Sequence, residues 1–260
     1  MTRVALVTGA ARGIGAATVA ALAGAGWSVL AVDSVADDPA LPYPMGTATE
    51  LAAVVEQAGK QVRSFVADVR DPVALQAAVD EAERLWGGLD AALAVAGGVA
   101  GGRPQWEVPP AQEQAVLDIN LGGVLNLARV AVPALLRRPE PRSGRFLAVA
   151  SAAATQGLPM LAAYCAAKAG VAGLIRALAV ELGPTGITAN AVSPGSTATP
   201  ILDQSAALYD LPGRQSFAAQ QPVQRLLEPA EIAAVLAFLA GPASSAITGA
   251  VLPVDGGLAL

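Results

Sequence analysis

Tyr164 and Lys168 are the residues whose types and spacing say most about chemistry. Residues four apart on a helix lie on one face, so the phenol and the ammonium group are predicted to be neighbours. An ammonium group stabilises a nearby phenolate, which makes the tyrosine proton easier to move near neutral pH. Ser151 precedes Tyr164 by thirteen residues. The set suits a general acid/base for an alcohol or a carbonyl, although such a pair more commonly belongs to a solvated helix face.

A glycine-rich turn near the start of the chain adds force to this interpretation. Gly9, Gly13 and Gly15, with Arg12 and Ile14 between them, lie between a predicted strand and a predicted helix. Glycines at such a turn let the backbone approach a pyrophosphate closely. The start of the helix offers free amides and a positive dipole end to the phosphates. The turn therefore predicts a dinucleotide site.

Asp33 ends the second predicted strand, where an acid can accept hydrogen bonds from the adenosine ribose. A carboxylate at this position would repel a 2′-phosphate, so NAD(H) is favoured over NADP(H). Arg12 is the counter-argument, because an arginine in the turn can bind that phosphate. An ordinary polar strand end is the alternative explanation for Asp33.

Short apolar runs alternate with longer helical patterns along the chain, which predicts a doubly wound parallel sheet of Rossmann type, with helices on both faces. The whole chain, residues 1–260, is predicted to form one dinucleotide-binding and catalytic domain. The predicted strands are 4–8, 28–33, 61–67, 89–96, 144–150, 187–192 and 250–254, and the predicted helices are 14–23, 48–58, 73–86, 110–136, 162–182 and 229–239.

Two stretches interrupt the alternation. Residues 34–47 are rich in proline and aspartate and are interpreted as a surface insertion. Residues 197–224 are mixed in character, and their place in the order of elements predicts a substrate lid.

Composition excludes several classes of site. The 260 residues are 54% hydrophobic and 14% charged, so the chain has much apolar surface to bury in a core or between subunits. The net charge of −5 argues against a nucleic-acid partner. Without histidine and with one cysteine, Cys165, neither a histidine-based triad nor a histidine or cysteine metal site is available. We expect no metal, no membrane span and a reducing, cytoplasmic location.

Taken in order, these motifs resemble the short-chain dehydrogenase/reductase family over nearly the whole chain. The residues that carry the resemblance are Thr8 to Gly15, Asp68-Val69, Ala96-Gly97, Asn120, Ser151, Tyr164 with Lys168, Ser193-Pro194-Gly195 with Thr199, Thr248-Gly249, and Val254 to Gly257.

The resemblance implies a catalytic set of Asn120, Ser151, Tyr164 and Lys168. Tyr164 would exchange a proton with the substrate oxygen, Lys168 would lower the tyrosine pKa and hold the nicotinamide ribose, and Ser151 would bind the substrate oxygen. Asn120 would position a water that links Lys168 to solvent. Further implied cofactor contacts are Asp68 and Val69 at the adenine, Ala96 and Gly97 near the ribose, and Pro194, Gly195, Thr197 and Thr199 at the nicotinamide.

The chain departs from the family at the end of the fourth strand, where Ala94 and Val95 replace two asparagines. This puts the local geometry in doubt. The long loop after Asp33, the segment ending at Arg103 and the run from Arg137 to Pro141 resemble a mycofactocin-coupled subgroup. That resemblance implies an NAD(H) that stays bound and is re-oxidised by a second redox carrier, with the loop folded over the adenosine half.

The favoured function is hydride transfer between NAD(H) and a hydrophobic secondary alcohol or ketone. An apolar pocket is expected from Ala153, Leu158, Met160, Ile201, Leu202, Leu208 and Tyr209. The alternatives are a 3-oxoacyl-carrier-protein reductase, a non-catalytic NAD(H) sensor and a structural subunit. The family commonly forms homotetramers through long apolar helices such as 110–136 and 162–182, although both could be buried within one subunit.

Overall fold

Seven parallel strands form the centre of the structure, a computed structural model that describes residues 2–260. They are β1 (Val4–Thr8), β2 (Ser28–Asp33), β3 (Val62–Val66), β4 (Ala91–Ala94), β5 (Arg145–Val149), β6 (Thr188–Pro194) and β7 (Val251–Val254). Their order in the sheet is β3-β2-β1-β4-β5-β6-β7. This is the doubly wound α/β arrangement that the alternation of patterns predicts.

Helices cover both faces of this sheet: α1 (Gly13–Gly24), α2 (Ala48–Ala58), α3 (Pro72–Trp86), α4 (Pro110–Leu117), α5 (Gly123–Leu136), α6 (Ala162–Leu182), α7 (Pro200–Leu208) and α8 (Pro229–Ala240). In β1, Val4 and Leu6 join the core on the side of α3, α5 and α6, whereas Ala5 and Val7 join the core on the side of α1, α2 and α8. Both sides of each central strand are therefore buried, which explains the uninterrupted apolar runs.

Local signals set the helix ends. The Asp71 side chain caps α3 by accepting from the amides of Val73 and Ala74, Pro72 occupies the first turn, and Gly87 ends the helix in the left-handed region. A reciprocal capping box between Thr47 and Glu50 starts α2.

The helix predicted for 110–136 has these bounds in the structure, but it is not α-helical in its middle. A π-helical turn, Asp118–Gly122, separates α4 from α5. Such a turn adds one residue to a helix and is frequent at functional sites. The apolar periodicity hides this single insertion, which carries Asn120.

Residues 197–224 are more ordered than a loop. Pro200 starts α7 in its first turn, where a missing amide costs nothing, and a 3₁₀ segment follows at Arg214–Gln220. A small separate apolar cluster of Ala206, Phe217 and Leu226 holds the segment together.

The interpretation of residues 34–47 as a surface insertion is also wrong. Asp38 and Leu41 are buried, and Leu41 joins the core on the α3, α5 and α6 side. The proline- and aspartate-rich composition does not reveal this, because burial depends on contacts with distant residues.

Two helical stretches, Pro110–Leu136 and Ala162–Thr185, are long and apolar enough to cross a membrane on length and composition alone. Both place one side against the sheet, as the core helices of a folded domain do.

Candidate active site

One large cavity lies at the carboxyl ends of the strands, on both sides of the point where the strand order reverses between β1 and β4. Its volume is about 710 Å³. Ligands of open α/β sheets bind in this crevice. The glycine turn and the ends of β2 and β3 form one end, and the segment after β5, α6 and the lid form the other.

The backbone of the turn between β1 and α1 favours glycine at three positions. Gly9 and Gly13 have φ values of 68° and 58°, in the left-handed region. A Cβ atom at Gly15 would lie 1.9 Å from the Gly9 carbonyl oxygen. No side chain in residues 2–260 caps the start of α1, so its first amides are available to an anion. The turn therefore fits a pyrophosphate, with Arg12 and Ile14 beside it on the cavity wall.

Backbone amides fix the Asp33 carboxylate at the end of β2. It accepts hydrogen bonds from the amides of Ala11 at 3.0 Å and Val35 at 3.1 Å, and it lines the cavity. Its remaining lone pairs can accept from hydroxyl groups. The Arg12 guanidinium donates at 2.7 Å to the carbonyl of Pro44, in the loop after β2. That contact directs one nitrogen of the guanidinium towards the loop and leaves its charge in place.

Asp68 and Val69 line the same end of the cavity, as predicted. Burial raises the pKa of Asp68, but hydrogen bonds from Arg70 outweigh that effect and hold the pKa below its usual value. Arg70 also forms an ion pair with Asp38. The arginine thereby joins the loop after β2 to the end of β3 at the end of the cavity where the sequence predicts the adenosine.

Tyr164 and Lys168 share the face of α6 that points into the cavity. The Lys168 Nζ lies 5.6 Å from the centroid of the Tyr164 ring. It donates to the Val149 carbonyl oxygen at 2.9 Å, and the side chain is buried. The strand β5 therefore positions the ammonium group that the sequence places beside the phenol.

Ser151 follows β5 and lines the cavity with Tyr164. Its Oγ accepts from the amide of Ala153 at 3.1 Å, at the start of a short 3₁₀ turn. This hydrogen bond fixes the oxygen and leaves the hydroxyl proton free to be donated.

The π-helical turn brings Asn120 to the same place. Its Nδ2 donates to the carbonyl oxygens of Gly98 at 2.7 Å and Val116 at 2.8 Å. A Cβ atom at Gly97 would lie 3.0 Å from the Asn120 Oδ1 and 3.7 Å from the Lys168 Nζ. The amide oxygen and the ammonium group therefore flank one position on the backbone. Ser151, Tyr164 and Lys168 line the cavity, whereas Asn120 is fully buried and does not line it.

Burial dominates the proton affinities of the pair. It raises the pKa of Tyr164 to about 12, and a contact with the Ser151 hydroxyl offsets part of that rise. Burial lowers the pKa of Lys168 to about 8. The pKa of the phenol therefore moves away from neutral pH, and the pKa of the amine moves towards it. In this structure the lysine is thus the group that loses its proton more readily, and the expected lowering of the tyrosine pKa is not seen.

Thr8 supplies the polar support that the sequence leaves missing at Ala94 and Val95. Its Oγ1 accepts from the amides of Val95 at 3.1 Å and Ala96 at 3.3 Å, and donates to the Leu93 carbonyl oxygen at 3.4 Å. One hydroxyl group from β1 therefore holds the end of β4.

Of the residues predicted near the nicotinamide ribose, Gly97 lines the cavity and Ala96 does not. Ala96 instead lies behind the glycine turn, where a Cβ atom at Gly9 would come within 2.6 Å of its Cα. Ala96 supports the turn by close packing.

The predicted nicotinamide-end residues, Pro194, Gly195, Thr197 and Thr199, all line the cavity. Sequence reasoning missed Gln221, which holds this segment. Its Oε1 accepts from the Ser196 amide at 2.7 Å, and its Nε2 donates to the Ser196 carbonyl oxygen at 3.3 Å. A Cβ atom at Gly195 would lie 2.3 Å from that Oε1. No local pattern marks Gln221, because its partner is distant in sequence.

The other end of the cavity is mainly apolar. Of the seven predicted pocket residues, Ala153, Leu158, Ile201, Leu202 and Tyr209 line it. Met160 and Leu208 do not; they pack around Gly101 and Gly102 instead. The lining also includes Ser205, Leu211, Phe217 and Gln220 from the predicted lid, and four residues that the sequence did not suggest, Gln156, Pro159, Leu161 and Leu258.

The Tyr209 hydroxyl donates to the Pro159 carbonyl oxygen at 2.7 Å. This hydrogen bond ties the end of α7, within the predicted lid, to the segment after β5 at the apolar end of the cavity. Within residues 2–260, no group of three or more histidine, cysteine or acidic side chains is placed to hold a metal ion.

Comparison with known proteins agrees with this site. The family model described as enoyl-(acyl carrier protein) reductase matches residues 9–259. The (-)-trans-carveol dehydrogenase of Rhodococcus erythropolis is 37% identical over 99% of this chain and 98% of the relative. The cis-4-hydroxycyclohexanecarboxylate dehydrogenase of Sinomonas cyclohexanicum is 39% identical over 98% of this chain and 96% of the relative.

A solved structure agrees as well. The carveol dehydrogenase of Mycobacterium avium in complex with NAD superposes with a TM-score of 0.92 at 35% identity, covering 98% of this chain and 97% of that one. A dinucleotide fold with a serine, tyrosine and lysine in one crevice defines a class of oxidoreductases. The chain belongs to the short-chain dehydrogenase/reductase family.

Proposed function

We propose that this protein is an NAD-dependent dehydrogenase or reductase that acts on hydrophobic secondary alcohols and ketones. The observation that carries the proposal is the position of Tyr164, whose phenol lies in the same cavity as the glycine turn. Residues 1–260 then act as one dinucleotide-binding and catalytic domain, with a substrate lid at 197–224.

The chain's own residues supply positions and proton transfer. The nicotinamide of the cofactor accepts or supplies the hydride. Tyr164 takes the proton of an alcohol or gives one to a carbonyl oxygen, and the Ser151 hydroxyl binds that oxygen. Lys168 holds the ribose and exchanges protons with the phenol, and Asn120 positions the water that connects Lys168 to solvent. The positive charge of an oxidised nicotinamide would favour the phenolate, against the effect of burial.

Asp33 supports NAD over NADP. Its carboxylate is fixed by two amides, and the Arg12 guanidinium is engaged by the Pro44 carbonyl. The Gly9 to Gly15 turn holds the pyrophosphate, Asp68 and Val69 the adenine, Gly97 the nicotinamide ribose, and Pro194, Gly195, Thr197 and Thr199 the nicotinamide. Ala96 packs behind the glycine turn and supports it.

The preferred substrate is neutral. None of the side chains at the apolar end of the cavity is charged. Of the cations that line the cavity, Arg12 and Arg70 lie at the cofactor end, and Lys168 lies beside Tyr164 and is held by the Val149 carbonyl oxygen. A carboxylate-bearing alcohol would therefore bury its charge without a partner, which is costly. Carveol, a neutral ring alcohol named for the Rhodococcus relative, fits better than the hydroxycyclohexanecarboxylate named for the Sinomonas relative.

The experiment that tests this function combines binding with turnover. NADH and NADPH are titrated by fluorescence into protein stripped of nucleotide. A panel of cyclic secondary alcohols with and without carboxylates is then read at the nicotinamide absorbance in single turnovers with enzyme in excess, so that a cofactor that stays bound still reports the reaction. We expect tighter NADH binding and faster oxidation of the neutral alcohols. Binding without turnover on any alcohol or ketone would favour the sensor, and faster turnover with NADPH and a 3-oxoacyl substrate would favour the acyl reductase.

A homotetramer is the proposed assembly. The outer face of α6 exposes small apolar residues at helical spacing, namely Ala162, Ala166, Ala169, Gly173, Ala177 and Val180. Such a face allows two helices to pack closely. Light scattering after size exclusion should give four chains for the wild type and fewer for Val180→Asp, since Val180 is exposed in the subunit.

The loop after β2 supports a cofactor that exchanges slowly. Three anchors hold it over the adenosine end: Asp38 on Arg70, Pro44 on Arg12 and Tyr43 on Val99. We propose that bound NADH is re-oxidised in place by a second redox carrier, mycofactocin in the subgroup that the chain resembles. Purified protein should release NAD(H) on denaturation; protein free of nucleotide that turns over with added NAD would contradict this proposal.

A cytoplasmic location is proposed because NAD(H) is made and used there, and cell fractionation tests it.

A further inference from the structure

A glycine-rich strap, residues 97–102, lies between the catalytic residues and the substrate end of the cavity. Four of its six residues are glycines, at 97, 98, 101 and 102, and no helix or strand runs through it. Glycines lose the most conformational freedom on folding, so such a segment keeps one shape only where other residues fix it. Which contacts fix the strap therefore matters for catalysis.

One end of the strap is bound to Asn120. The Asn120 Nδ2 donates to the Gly98 carbonyl oxygen at 2.7 Å, and the Gly98 amide donates to Oδ1 at 3.4 Å. A displacement of Gly98 would therefore move the Asn120 amide relative to the nearby Lys168 ammonium.

The other end of the strap touches the substrate segment. The Gly102 amide donates to the Met160 carbonyl oxygen at 3.1 Å, and a Cβ atom at Gly101 would lie 2.2 Å from that oxygen. Met160 itself has a φ of 61°, which is strained for a residue with a side chain. The adjacent Pro159 carbonyl accepts from Tyr209 of the lid.

Tyr43 fixes the middle of the strap. Its hydroxyl oxygen accepts from the Val99 amide at 3.1 Å. Its neighbour Leu41 is buried, and a Cβ atom at Gly98 would lie 3.0 Å from the Leu41 Cδ1 and 3.6 Å from the Tyr43 hydroxyl oxygen. The loop after β2, which covers the cofactor end, thus reaches a segment hydrogen-bonded to a catalytic residue.

We infer that Tyr43 is a positioning residue, which fixes the strap through Val99 and thereby the Asn120 amide beside Lys168. The inference rests on the proposed oxidoreductase function. It gives the loop after β2 a role in the proton-transfer half of the site, in addition to its place over the adenosine end.

The test is Tyr43→Phe, which removes the hydroxyl oxygen and keeps the ring. A buried amide that loses its hydrogen-bond partner costs enough free energy to change a rate constant by about tenfold. We expect kcat to fall by about that factor and its pH profile to shift, with a smaller change in NADH affinity measured by fluorescence. Hydrogen exchange of residues 97–102 should become faster.

The matched control is Asp37→Ala in the same loop. Asp37 is exposed and accepts from the Met45 amide, so its loss loosens the loop without touching the strap. It should leave kcat and the pH profile as in the wild type. If Tyr43→Phe changes only NADH affinity, or leaves hydrogen exchange of the strap unchanged, the positioning role is wrong. Absence of nicotinamide reduction or oxidation by any alcohol or ketone in single turnovers of the wild type would instead contradict the proposed function.

Discussion

Asp33→Asn tests the physical basis of cofactor choice. The substitution removes the carboxylate charge and keeps the size of the side chain. A 2′-phosphate carries about −1.5 to −2 charges. At a separation of about 5 Å, Coulomb repulsion from a carboxylate is roughly 1.5 kcal/mol in water and several times more at a lower effective dielectric. Asp33 is half-buried, so we take about 1.5–3 kcal/mol, equivalent to about 10- to 150-fold in affinity.

The assay is the ratio of NADPH to NADH dissociation constants, measured by nicotinamide fluorescence at fixed ionic strength. We expect Asp33→Asn to lower this ratio by about 10- to 150-fold. It should also weaken NADH, because Asn cannot accept from both the Ala11 and the Val35 amides while accepting from the ribose.

Asp37→Asn is the control, since it makes the same change of charge at an exposed position nearby. The same fall of the ratio in both variants would attribute it to net charge. An unchanged ratio in Asp33→Asn would refute the assignment of Asp33 to the ribose.

Two further predictions concern the ends of the cavity. Gly15→Ala places a methyl group 1.9 Å from the Gly9 carbonyl oxygen, so the turn must shift. The variant should lose NADH binding, and its circular dichroism spectrum should still be that of a folded chain. Retained NADH affinity would contradict the pyrophosphate site. Burial lowers the pKa of Lys168 from 10.5 to about 8, so the unfolded chain binds more protons between those values and stability rises with pH there. The free energy of unfolding in urea should therefore rise by about 2 kcal/mol more in the wild type than in Lys168→Met from pH 8 to pH 10, since the titration of Tyr164 is common to both proteins, and a flat difference would contradict the burial.

Features that depend only on residues close together in the sequence could be predicted from it. The runs at Val4–Thr8 and Ser28–Asp33 were predicted with the bounds that the structure shows. The tyrosine and lysine on α6 needed only helical spacing. The parallel direction of the strands followed from their alternation with helices, because parallel neighbours need crossover connections.

Residues that act through distant partners were not predictable. Thr8 supports Val95 from another strand, Gln221 holds Ser196 from beyond α7, and Tyr43 reaches Val99 from a loop interpreted as an insertion. Each is a single polar group whose partner is set by tertiary packing. The π-helical turn at Asn120 was not predicted for another reason: one additional residue changes the spacing of apolar residues along the helix very little.

The central claim is that the Tyr164 phenol moves the substrate proton, and Tyr164→Phe tests it most directly. The variant lacks the transferable proton and keeps the ring against the core. With a neutral secondary alcohol that the wild type oxidises, kcat should fall by about 10²–10⁴-fold while NADH still binds. Cys165→Ala, at the adjacent position outside the cavity lining, should turn over as the wild type does. Turnover of Tyr164→Phe at the wild-type rate would contradict the account.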